Sequence, residues 1–133
     1  MDESERQFQE LIANAMVRSK RMLDREQRVL PFSLLLQRDG EIEAAVGLYD
    51  TPAQAADVVS AMETSLISRA MELSALATCI VLPVGTGEVV MLLENRENYC
   101  ATVRMPLAED SSSLDSDRMI IEEGSIRVFP VVN

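Results

Sequence analysis

The chain has 133 residues, enough for one domain with a real core, and carries a formal net charge of −10 with no histidine. Apolar residues at 47% and charged residues at 26% are globular proportions, so the chain is not disordered as a whole. The acidic balance argues against nucleic-acid binding, which needs clustered cations, and against an anionic membrane surface. The missing histidine removes Ser-His and Cys-His nucleophile pairs and every His-ligated metal site.

The N-terminus, MDESERQFQE, is acidic and polar, unlike a secretory signal, and no apolar run reaches the ~18 residues of a membrane span. Residues 3–28 predict an amphipathic helix: Phe8, Leu11, Ile12, Ala15, Met16, Met22 and Leu23 recur at helical spacing. Ser4 is the expected cap, and Pro31 marks the exit. Arg18, Lys20, Arg21, Arg25 and Arg28 form a basic strip, read as a solvated face or as a docking strip for an anion or protein.

Phe32 to Gln37 predicts a strand, and its almost continuous apolar run places it centrally, covered on both faces. Arg38-Asp39-Gly40-Glu41 is the turn, because Asp-Gly suits a tight hairpin, and Ile42 to Leu48 is the partner strand. Asp50-Thr51-Pro52 then starts a second helix, a capping residue followed by proline at the first helical position. Ala55, Val58, Val59, Met62, Leu66, Ala70 and Leu73 form its apolar face, which Ile67 and Met71 widen sideways.

Three turn-linked strands follow, Thr78 to Val84, Glu88 to Glu94 and Tyr99 to Met105, as an antiparallel meander. Residues 108–118, rich in Ser, Asp and Glu, are expected to be a mobile acidic loop. Ile120 to Val132 reads as extended, with Gly124 as a turn or bulge, and Pro130 marks an edge strand or tail. The expected fold is α+β over residues 1–133 as one domain. It has one antiparallel sheet of five to six strands in the order helix-strand-strand-helix-strand-strand-strand-strand, with the helices packed on the sheet.

Chemical motifs are few. Asp39 with Glu41, and Glu94 with Glu97, are the available carboxylate pairs, and both read as solvated turns rather than acid/base sites. Gly85-Thr86-Gly87 lacks the further glycines and the following helix of a phosphate loop. The acidic segment Glu109 to Asp117 lacks the spacing of a calcium loop. Cys79 and Cys100 sit in apolar runs without nearby cations and read as packed thiols; two cysteines and no framework make the cytoplasm the default compartment. No catalytic, cofactor-binding or metal residue is assigned.

LLLQRDGEIEAAVG (Leu34 to Gly47), the helix from Thr51 and the meander from Thr78 to Met105 together resemble the roadblock branch of profilin-like folds over about Leu30 to Leu107. That resemblance implies a non-enzymatic module that dimerises through its long helix and a sheet edge and docks on GTPases, motors or scaffolds. The long N-terminal helix and C-terminal strand depart from the pattern. The opening PFSLLLQRDGEI also resembles cytidine-deaminase-like folds, but Asp50-Thr51-Pro52-Ala53-Gln54 holds none of that family's zinc ligands.

The expectation is therefore a cytoplasmic, non-enzymatic protein-binding or regulatory module whose partner is a protein, including a second copy of itself. Its candidate contact residues are Val58, Met62, Leu66, Ile67, Met71, Ile42, Ala44 and Val46. The alternatives are an acidic immunity-type inhibitor of a basic toxin or nuclease, and an enzyme using carboxylates alone.

Overall fold

A computed structural model describes residues 2–47, 55–85 and 87–132. The elements run α1 (Glu3–Glu26), β1 (Phe32–Leu36), β2 (Ile42–Val46), α2 (Ala55–Leu73), β3 (Ala77–Val84), β4 (Glu88–Asn95), β5 (Cys100–Pro106) and β6 (Ile120–Glu123). The class is α+β, with one antiparallel six-stranded sheet in the order β2-β1-β3-β4-β5-β6. The helix start expected at Asp50-Thr51-Pro52 lies outside the described residues.

The caps of α1 correct one expectation. Asp2, not Ser4, is the N-cap: its carboxylate accepts the Glu5 N–H at 2.8 Å, satisfying one of the orphan donors of the first turn. Ser4 instead accepts a hydrogen bond from the Asn95 amide at 2.8 Å. The helix stops at Gln27, whose left-handed backbone lets its N–H donate to the Leu23 carbonyl.

The register divides the sheet into two faces. Phe32 pairs with Val46 and Val81, Leu34 with Ala44 and Cys79, and Leu36 with Ile42 and Ala77. Directly opposed residues share a face, so these side chains all lie on the side covered by α1. There Leu11, Ala15 and Leu23 of α1 pack into one apolar cluster with Phe32, Leu34, Met91, Val103 and Met105. Leu35, Ile80 and Leu92 occupy the opposite face, under Leu66 and Ala70 of α2. All five residues of β1 are buried, as a central strand covered on both faces requires.

Beyond β5 the chain folds more tightly than its composition suggests. Leu107 and Leu114 bridge the ends of the acidic segment, and Leu114 is buried in the α1-side core. Asp110 and Asp115 each accept a backbone N–H two residues on, at 3.0 and 3.1 Å. A 3-10 turn at Ser116–Arg118 then delivers β6 to the sheet edge. The extended reading of Ile120 to Val132 is corrected at Gly124: a strand ends there and an irregular segment follows. A Cβ on Gly124 would sit 2.6 Å from the Ala101 backbone nitrogen, so only glycine allows this approach.

The irregular segment crosses the α2 side of the sheet as a strap. Glu94, buried on β4, accepts the N–H groups of Arg127 and Val128 on Oε1 at 3.0 and 2.8 Å and that of Phe129 on Oε2 at 3.1 Å. Three successive N–H groups turned toward one carboxylate form an anion-binding concavity, here filled by the protein's own side chain. Val128 and Phe129 join the α2-side cluster, and Asn98 ties the strap again at the Pro130 carbonyl and the Val132 N–H.

Candidate protein-binding edge

At β2 the sheet ends among the described residues. Its ladder phase follows from two bonds: the Gln37 N–H donates to the Glu41 carbonyl and the Gly47 N–H to the Pro31 carbonyl, each at 2.8 Å. Alternate residues of an antiparallel strand turn both backbone groups to the same neighbour. Glu41, Glu43, Ala45 and Gly47 therefore face β1, and the N–H and C=O groups of Ile42, Ala44 and Val46 point away from the sheet. An edge of this kind is a template for another strand.

Among the described residues a groove lies between the edge and each helix, while α2 closes on its end at Gly47, where a Cβ would lie 2.4 Å from Val58. On the α2 side a groove of about 570 Å³ runs between the β2 backbone and α2, lined by Leu35, Val58, Ala61, Met62 and Leu66. On the α1 side a shallower groove of about 420 Å³ lies between Ile42 and the helix flank formed by Ala13, Asn14, Val17 and Arg18. Val17 is 52% exposed and Val46 49%, large apolar side chains beside an unpaired strand.

Electrostatics mark the α2 groove. Arg69 reaches from α2 to Glu43 on β2, donating from Nε at 2.9 Å and from Nη2 at 2.8 Å, and pairs also with Glu72 at 3.2 Å. This fork holds the Glu43 carboxyl below its ordinary range and raises the Arg69 guanidinium. The ends of the pair are solvated, so its role is to fix the helix against the strand more than to add stability.

The eight sequence-predicted contact residues do not form one surface. Ile42, Ala44 and Val46 direct their side chains to the α1 face, whereas Val58, Met62 and Leu66 line the groove on the other face. Met62 and Leu66 are buried beneath α2, so they are floor and wall rather than contact surface. Ile67 and Met71 lie on the far flank of α2, beside the strap residues Phe129 to Val132, and Met71 is 75% exposed. The broad apolar stripe of α2 thus splits into a buried row and an exposed shoulder.

The carboxylate pairs separate in the same way. Asp39 accepts the Glu41 N–H at 2.9 Å and makes the hairpin turn. Glu94 is not solvated, as its turn-like setting predicts, but buried under the strap. Asn95, wholly buried, donates to Ser4 and Gln7 and accepts from the Glu97 and Tyr99 N–H groups, joining α1 to the β4–β5 turn. Sequence reading placed Glu94 in solvent and missed Asn95 and Gln7, because the partners of all three are remote in the chain. Burial pushes the Cys79 thiol up, and burial together with the Glu94 charge pushes up that of Cys100.

Among the described residues no three His, Cys, Asp or Glu side chains group to hold a metal ion, and no helix is long and apolar enough to cross a membrane. No family model, curated protein or solved structure matches the chain.

Proposed function

We propose that the chain is a non-enzymatic, cytoplasmic protein-binding module whose partner engages the β2 edge and the groove behind it. One observation carries this reading: the outward N–H and C=O groups of Ile42, Ala44 and Val46 stand beside an apolar groove of about 570 Å³. Strand addition works in this way, with main-chain hydrogen bonds supplying affinity and flanking pockets supplying selectivity.

A photo-crosslinking side chain at position 46, compared with one at the hairpin-tip residue Arg38, tests the reading in living cells. A discrete protein adduct from position 46 that is absent from position 38 is the expected result. No adduct from position 46 would overturn it.

A further inference from the structure

We propose that the strap fills a peptide-binding groove in cis. In exchange for the strap, the groove takes an extended segment of another protein that carries a basic residue, an aliphatic residue and phenylalanine in succession. This groove is on the α2 face and is separate from the β2 edge.

The bonds that hold the strap are of the kind that bind peptides. Among the described residues Glu94 hydrogen-bonds only main chain, the N–H groups of Arg127, Val128 and Phe129. Asn98, in the β4–β5 turn, grips the next stretch at both ends. Its Nδ2 donates to the Pro130 carbonyl at 3.1 Å and its Oδ1 accepts the Val132 N–H. Such bonds read an extended backbone whatever its side chains, so they serve a foreign segment equally. Selectivity comes from three side chains. Val128 and Phe129 enter the apolar cluster beneath α2, and the Arg127 guanidinium lies 3.6 Å from Glu63 on α2. A cation ahead of an apolar pair complements a chain of net charge −10.

The strap is weakly seated. Of residues 126–132 only Val128 and Phe129 are buried, and none of them lies in a helix or strand. A segment with so few buried contacts belongs to the low end of local stability. It also leaves room: about 320 Å³ stays open beside Phe129 to Val132, against Ile67 and Met71 of α2. A segment with a larger apolar side chain there gains contacts that the strap lacks. An empty groove strands the Glu94 carboxylate without its donors, which favours trading one segment for another over simple opening.

The test uses the full-length chain and a labelled, end-blocked peptide of residues 125–132, with binding read on the peptide and hydrogen exchange read on the chain. A tethered strap competes at its effective concentration, so the expected half-saturation is ~1 mM, with faster exchange at the chain's Arg127, Val128 and Phe129 amides. Phe129→Ala in the chain weakens the cis competitor and raises the apparent affinity about tenfold or more, whereas the same change in the peptide abolishes binding. Glu94→Gln added to the Phe129→Ala chain reverses the gain. Of two peptides enlarged by Val131→Leu and Val132→Leu, at least one binds more tightly than the strap's own sequence. A cleavable chain covers the case in which Phe129→Ala fails to fold. With a protease site inserted between Gly124 and Ser125, cutting removes the tether, and the peptide then replaces the strap well below ~1 mM.

No displacement in the uncut chain overturns the proposal, as does a strap that the peptide does not replace after cutting. Binding that leaves the strap amides unchanged, or that is indifferent to Glu94→Gln, overturns it too. Enlarged peptides that bind no better remove the advantage of a foreign segment. A wild-type chain that trades straps between copies, seen as a dimer by light scattering, assigns the groove to a second copy and overturns the partner named here.

Discussion

The two faces of the sheet are closed by different means. On the α1 side one amphipathic helix, the apolar rows of four strands and Leu114 make a continuous core without a buried charge. On the α2 side the helix covers β1 and its neighbours, and the rest is closed by an irregular strap that a buried carboxylate clasps by its backbone. A helix about 10 Å wide spans roughly two strands at their ~4.8 Å spacing. A second cover is therefore needed for six strands, and a segment without regular structure must have its N–H groups satisfied by something other than a ladder.

The largest effect that would test this contrast comes from the α1 side. Phe32, wholly buried against α1, should lose about 4 kcal/mol as Phe32→Ala in denaturant unfolding. A loss near that of an exposed site would mean that this face is not the principal core. Next is Glu94→Ala, which orphans three N–H groups and should cost about 2 to 3 kcal/mol. Hydrogen exchange sharpens the point: the Arg127, Val128 and Phe129 amides should exchange faster while those of β1 and β4 stay protected. Uniform acceleration would show that the strap and the sheet open as one unit.

Asn95→Ala should cost about 1 to 2 kcal/mol and loosen the first turn of α1, because it breaks the link to Ser4 and Gln7. Protection of the α1 amides by hydrogen exchange reports it. The smallest effect belongs to Arg69→Ala, whose ion pair with Glu43 is solvated. Its signature is the pH dependence. Glu43 is held below its ordinary value of 4.5 in the folded chain, so the unfolded chain binds the proton more tightly. The contribution is complete above that value and fades as pH falls through the folded one. Arg69→Ala should therefore flatten the acid limb of a melting-temperature profile while changing little at neutral pH.

Patterns local in the chain were legible and those depending on a returning segment were not. The almost continuous apolar run from Phe32 to Leu36 announced a strand covered on both faces, and Asp39-Gly40 its turn. Alternation alone puts Ile42, Ala44 and Val46 on one side. It does not say that α1 takes that side while α2 takes the other, because that follows from the path of the connections. For this reason the predicted contact set mixed residues from opposite faces. Glu94 reads as a turn carboxylate until Arg127 to Phe129 fold back over it, and Leu114 is one apolar residue in a polar segment. Both depend on contacts that only the closed fold supplies.

The pairing of β1 with β3 has a kinetic consequence. The β1–β2 hairpin and the β3–β4–β5 meander each close over short turns, but β1 and β3 meet only after all of α2 has been looped out between them. Loop closure makes that joint the slow step, since its entropy is spent before the contacts across it form. Folding then amounts to docking two preformed pieces along one seam. Changes at Leu34 or Cys79, which face each other across it, should slow refolding more than equal losses of stability elsewhere.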